Sequence, residues 1–252
     1  MFYYYIILYE EFFLAIVFFS FGAKAQTIKA IYSEKEIISN DRLNSMPEDI
    51  KKAKLAEMKH CKLFILQYSA GISFYEREPN SKEFIYEKTT LDENGSGLSQ
   101  IKIHKKHHPF FYYKELDNNL MFFKMNNSEI DFNGKDKLIP WNWEISEETK
   151  IIAGYKCKKA ISKAYNSEFT AWFTEEIPVN AGPDRFDGVP GLILYATSLG
   201  QEYLLQKVEI LDQNSVIALP EMKAKTVTFL EMADIVTKKF SEDMKDSQME
   251  AY

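Results

Sequence analysis

Two aspartates, Asp184 and Asp187, stand three residues apart, with Glu175 and Glu176 a short way upstream. Carboxylates paired in this way can share the acid and base roles of a hydrolysis. The same residues also have a structural use. Aspartate side chains accept backbone N–H groups in turns, Asp187-Gly188 is a turn dipeptide, and Arg185 can pair with either acid. The structural use is the simpler expectation, and no catalytic residue is assigned. A second candidate is the His104-x-x-His107-His108 run, because imidazoles ligate metals. No Asp, Glu or Cys falls inside it, and Lys105 and Lys106 repel a cation. The run reads as an exposed basic loop before Pro109, and no metal is assigned. Cys157 lies in an apolar alternating pattern with no base close in sequence, which describes a buried thiol rather than a nucleophile. Neither a glycine-rich phosphate loop nor a G-x-S-x-G elbow is present, and no cofactor is implied.

The aspartates belong to a crowded stretch from Ala171 to Leu194 that holds Pro178, Pro183 and Pro190 together with Gly182, Gly188 and Gly191. Proline fixes φ and glycine permits positive φ, so this density describes a loop of defined shape. Apolar residues flank and interrupt it, which predicts that it packs down. Trp172, Phe173, Ile177, Pro178, Phe186, Val189 and Pro190 form an apolar set in and around it. Such a set can line a ligand pocket or dock a partner, or it can plug one end of a core. The ligand- or partner-binding candidates are Trp172, Phe173, Pro178, Phe186, Asp187 and Pro190.

The elements that position this loop are mostly strands. Aromatic residues make up 15% of the 252 residues, mainly Tyr and Phe, and they favour strands. Strands are expected over 27–32, 84–90, 110–115, 120–125, 168–174, 192–197 and 202–210, and over 61–77 with a bulge or bend at Gly71. A turn at Asn133-Gly134 should separate 129–132 from 138–145. Residues 150–161 read as one more strand, with a bulge near Lys159. Asp92 to Gly97 reads as a turn or mobile loop. Two helices are expected, 47–59 behind a Ser45-x-x-Glu48 capping box and 229–244 behind a Thr228-x-x-Glu231 box. The net charge of −6 disfavours nucleic acid. Phe12 to Phe21 followed by Ala23-Lys24-Ala25 reads as an export signal cleaved before Gln26, although Met1 to Glu11 lacks Lys and Arg. An uncleaved anchor is the alternative. The two cysteines, Cys61 and Cys157, fit a disulfide or two free thiols, and the free thiols are slightly favoured.

The sequence resembles the GLPGLI family of exported Gram-negative bacterial proteins. Gly188-Val189-Pro190-Gly191-Leu192-Ile193 is the namesake segment, with Val189 in place of leucine. Glu148-Thr149-Lys150, Ile152, Gly154-Tyr155, Cys157, Lys159-Ala160, Ala171-Trp172-Phe173-Thr174, Glu176-Ile177-Pro178, Gly182-Pro183 and Phe186 extend the likeness over about 141–197. The resemblance implies an exported, strand-rich protein and carries over no activity. The expected organisation is a signal peptide over 1–25 and one β-rich domain over 26–252. The expected fold is α+β and mainly β, one strongly curved antiparallel sheet (half-open barrel or sandwich-like) with two helices. The expected function is non-catalytic binding of a hydrophobic small molecule, a lipid or an envelope protein, in the periplasm, at the outer membrane or secreted. The membrane is touched only through the signal segment if it is uncleaved. An exported hydrolase using the loop carboxylates and a structural envelope subunit are the alternatives.

Overall fold

Tight turns decide where the strands end. Ala70-Gly71, Ser128-Glu129, Ala153-Gly154 and Tyr165-Asn166 all have positive φ at both positions, the twist that matches two-residue hairpins. They join β2 (Lys62–Ser69) to β3 (Ile72–Arg77), β7 (Leu120–Asn127) to β8 (Ile130–Asp136), β9 (Glu144–Ile152) to β10 (Tyr155–Ala164), and β10 to β11 (Ser167–Thr174). Gly71 therefore reverses the chain instead of bending one long strand, and 150–161 is two strands instead of one. The expected turn at Asn133-Gly134 is the middle of β8. Gly134 sits there because the Phe123 ring occupies the place where a Cβ would lie. Residues 138–143 are an irregular crossing segment, not a strand.

The remaining elements are β1 (Thr27–Glu36), β4 (Phe84–Leu91), β5 (Leu98–Lys105), β6 (Phe111–Glu115), β12 (Leu192–Ser198) and β13 (Gln201–Leu211), with helices α1 (Asn40–Asn44), α2 (Glu48–Lys59) and α3 (Phe229–Met249). This computed structural model describes residues 27–91, 98–213, 215–222 and 225–249. The expected signal segment and the 92–97 turn lie outside them. There are thirteen described strands against roughly ten expected, and a third helix. The Ser45 capping box does not form. Ser45 ends α1, and α2 starts behind Pro47 with no side-chain cap. The second box does form: the Glu231 N–H donates to Thr228 Oγ1 at 3.2 Å and the Thr228 N–H donates to Glu231 Oε2 at 2.7 Å.

Eleven strands make one antiparallel sheet in the order β8-β7-β6-β3-β2-β1-β13-β12-β11-β10-β9, and β4 and β5 make a small second sheet. The large sheet does not close into a barrel, so the architecture is α+β and mainly β. Its curvature follows from one residue. Phe186 packs against Phe169 of β11 and Tyr203 of β13, and its carbonyl accepts from Lys114 Nζ of β6 at 2.7 Å. β6 and β11 are six steps apart in the sheet, about 29 Å if it were flat. One side chain and its carbonyl cannot span that distance, so the sheet wraps around the residue. Register shifts between Lys158 and Ala160, between Trp172 and Phe173, and between Ile31 and Tyr32 supply local bends.

The inner face carries Tyr32, Phe64, Tyr75, Tyr112, Met121 and Phe123, roofed by the 175–191 loop and by the start of α3. On the outer face the 215–222 segment lies over Phe74, Phe111 and Tyr113. Val227 pairs with the β8 edge through hydrogen bonds to Asn133 and Lys135. The β9 edge is mostly exposed, with Glu144, Glu147, Glu148 and Lys150 along it, and such charges discourage pairing with other chains. Among the described residues no helix is long and apolar enough to cross a membrane.

Candidate functional site

The 175–191 loop is built inward from its backbone. The Leu192 N–H donates to Ile177 O at 2.9 Å, Ile193 N–H to Ala181 O at 3.0 Å, and Gly188 N–H to Asn180 O at 3.3 Å. Gly191 is required by close approach, since a Cβ on it would lie 2.1 Å from the Thr174 carbonyl oxygen. Three consecutive carbonyls then receive side-chain donors from other elements. Arg185 O accepts from Trp141 Nε1 at 3.2 Å, Phe186 O from Lys114 Nζ, and Asp187 O from Trp143 Nε1 at 2.7 Å. Trp141 also stacks on Phe186, with ring centroids 4.8 Å apart. The loop is thus pinned on both sides, by β6 and by the 138–143 crossing.

The loop acids take separate partners. Asp187 is buried and pairs with Lys114 Nζ at 3.2 Å. Burial raises the Asp187 carboxyl and lowers the fully buried Lys114 ammonium, while each charge holds the other in its ionised form. Asp184, at φ 52°, accepts from the Tyr203 hydroxyl at 3.0 Å and faces Arg185 Nε at 3.8 Å. The Arg185 guanidinium lies 5.3 Å from the Phe229 ring centroid, and Phe229 stacks on Phe123 at 4.1 Å. This contact fastens the loop to α3 and to β7. Glu175 pairs with Lys158, and Glu176 accepts from the Lys156 N–H.

Of the candidate residues, Phe173, Phe186 and Asp187 are buried, Trp172 is half-buried, and Pro178 and Pro190 are exposed. Trp172 faces away from Phe173 and lies beneath Lys150 Nζ, 4.0 Å from its ring. The structure buries Phe173 and Phe186 in one cluster beside the buried Asp187, packs the half-buried Trp172 against the other cluster, and leaves Pro178 and Pro190 exposed. The histidines diverge: His104 bonds Glu83, the His107 N–H donates to Glu83, and His108 lies 3.9 Å from Asp131. Both cysteines are free, Cys61 exposed and Cys157 buried, with burial pushing the Cys157 thiol up to about 11.

Two features escape the sequence. One is a polar cluster on the inner face, where Glu34 of β1 lies opposite Tyr203 of β13. Burial, then the Asp184 charge, pushes the Glu34 carboxyl up to about 7, against the pull of Lys62 and Arg77. Tyr75, Tyr112 and Tyr203 surround the two acids, with hydroxyls raised chiefly by burial. The Tyr75 hydroxyl has no hydrogen-bond partner among the described residues. A void of about 10 Å³ adjoins Glu34, room for one water. The residues of this cluster are scattered over five elements, and no sequence spacing announces them.

The other feature is an open groove of about 440 Å³ at the end of β3 and β6. Phe74, Phe110, Phe111, Pro79, Pro109 and Pro220 are among its apolar lining, and Arg77, Lys124, Glu76, Glu78 and Glu221 among its charged lining. The volume is in the range of small-molecule sites. The proline-flanked Pro109-Phe110-Phe111 is the sequence signal that could have pointed to it.

A family described as a protein of unknown function (Porph_ging) matches residues 161–195, from β10 through β11 and the loop into β12. No curated protein matches the chain. Among solved structures, PNGF-II in space group P21 is similar over 85% of this chain and 34% of that one, with 16% identity and a TM-score of 0.49. PNGF-II in space group C2 is similar over 85% and 33%, with 16% identity and a TM-score of 0.48. This chain therefore spans about a third of the length of that protein.

Proposed function

We propose that this chain is an exported, non-catalytic binding module of the GLPGLI family that takes a hydrophobic ligand or a protein partner. The observation that carries this reading is the separation of the loop from the open groove. The loop's charged groups are each engaged with a structural partner, Asp187 with Lys114 and Asp184 with Tyr203. The two acids do not share one cleft, which weighs against a hydrolase built on them. The ligand-sized opening lies instead at the end of β3, where Phe74, Phe110 and Phe111 are among the lining residues. In this reading Phe173, Phe186 and Asp187 shape the scaffold, while the exposed Pro178 and Pro190 and the half-buried Trp172 offer a surface for a partner.

The test uses the neutral apolar dye N-phenyl-1-naphthylamine. Saturable one-site binding with a Kd of about 10 μM, weakened about tenfold by Phe110→Ala, is the expected result. Absence of saturable binding would reject the groove as a site for a small apolar ligand and would leave only the protein-partner half of this reading.

A further inference from the structure

The groove and the buried Glu34 cluster share one residue. Arg77 lines the groove, and register puts it on the inner face, in line with Phe64 of β2 and Tyr32 of β1. Its guanidinium rests 5.0 Å from the Phe64 ring centroid. Phe64 in turn stacks on Tyr75 at 5.2 Å and meets Phe110, another groove residue, edge-on at 5.5 Å. Arg77 Nε is buried and has no hydrogen-bond acceptor among the described residues. Such a donor is uncommon, because it loses water and gains nothing in return.

Glu34 lies two residues along β1 from Tyr32 on the same face, so its Cα is about 12 Å from that of Arg77, within reach of the two long side chains. The two charges act on each other. Burial disfavours the Arg77 cation and Glu34 is the group that favours it most, while burial and Asp184 raise the Glu34 carboxyl and Lys62 and Arg77 lower it. Every element around Glu34 brings a titratable group. Lys62 of β2, Tyr75 of β3, Tyr112 of β6, Tyr203 of β13 and Asp184 of the loop face it. Lys35, Glu36, Glu57 and His60 line the void beside it. Among all these groups Arg77 alone also lines the groove.

We propose that ligand binding in the groove is proton-linked, with Arg77 as the link between Glu34 and the ligand. With Glu34 protonated, the guanidinium stands at the groove with no ionised partner at Glu34, and an apolar ligand that covers it must strip its water. With Glu34 ionised, the guanidinium turns its free Nε–H toward the carboxylate. The pair then compensates its own charge, and an apolar body beside it costs less. A neutral ligand therefore binds more tightly as Glu34 loses its proton. This rests on the binding reading above and adds its regulation.

N-phenyl-1-naphthylamine, uncharged throughout, is titrated into the parent and Glu34→Gln at about pH 5.5 and about pH 8.5, on either side of the Glu34 ionisation near 7. The expected result is that the parent binds the dye about threefold more tightly at the higher pH, the worth of one partly solvated ion pair. Glu34→Gln has no proton to lose and should show no such gain. His107, His108, Glu76, Glu78 and Glu221 also line the groove, but they are common to both proteins and cancel in the comparison. Arg77→Gln should remove the gain as well, and Arg77→Lys should keep part of it. By reciprocity, saturating dye should lower the midpoint of the Glu34 titration, read by carboxyl carbon NMR, by about 0.5 pH. Because Glu34→Gln keeps the size of the side chain, it reads the linkage even if the Arg77 variants fail to fold. Equal pH dependence in parent and Glu34→Gln, or none in either, overturns the inference while leaving dye binding intact. Absence of dye binding at both pH values removes the apolar-ligand reading, and this inference with it.

Discussion

Glu34→Gln should make the protein more stable at alkaline pH and change little in acid. The Glu34 carboxyl sits opposite Tyr203 on the inner face, near Asp184, and is held at about 7 where a free glutamate has 4.5. The folded chain therefore keeps this proton well after the unfolded chain has lost it. Between pH 4.5 and 7 the native state binds more protons than the unfolded state, so this group's contribution to stability falls as pH rises through that window. A tenfold difference in proton affinity is about 1.4 kcal/mol, so the full effect is on the order of 3 kcal/mol above pH 7, less for any solvent reaching the half-buried side chain. Glutamine fills the same space without the charge. Urea unfolding at pH 4.5 and pH 8, compared for parent and variant, isolates the group because the other carboxyls cancel in the difference. The expected outcome is near-equal stability at pH 4.5 and a gain of about 2–3 kcal/mol for the variant at pH 8. Equal midpoints at pH 8, or a less stable variant there, would refute the view that Glu34 is buried against Asp184 with too little compensation from Lys62 and Arg77.

Three further outcomes follow from the loop and the thiols. Lys114→Met strands Asp187 in a buried setting and should cost about 3–5 kcal/mol at neutral pH, read by thermal or urea unfolding. Adding Asp187→Leu to it should recover part of that loss, because the orphaned charge is gone. Gly191→Ala forces a Cβ against the Thr174 carbonyl and should cost about 3 kcal/mol or more. In Ellman titration one thiol, Cys61, should react at once in the native protein, and Cys157 should react only after unfolding, as its burial requires.

The parts of the fold legible in the sequence were those set by local pattern. The aromatic alternation of 110–115 and 120–125, the Thr228 capping box and the Pro/Gly-rich loop all emerged as expected, because each signal lies within a few residues. The errors came where a distant partner overrides a local cue. Asn133-Gly134 is a turn dipeptide by itself, yet the Phe123 ring needs the space above Gly134 and keeps β8 straight through it. Ser45 and Glu48 match a capping box, but α1 ends at Ser45 and uses its backbone first. Ala153-Gly154 was hidden because a two-residue hairpin interrupts an apolar pattern too briefly to register. In the loop, the structural use of Asp184 and Asp187 was legible from turn chemistry, whereas Lys114, Trp141 and Trp143, which bind its carbonyls, lie 44 or more positions away. The Glu34 cluster and the groove owe their existence to the curvature of the sheet, which no single segment encodes.

The loop around Gly188 to Ile193 is a fixed part of the sheet's inner layer. Native-state hydrogen exchange at the amides of Val179, Phe186, Gly188 and Gly191, all bonded to loop carbonyls, is the test. Protection within about tenfold of the β11 and β12 amides is expected, since both should open only when the sheet does. Exchange of these four amides at the rate of an unprotected segment, with the strands still protected, would contradict it.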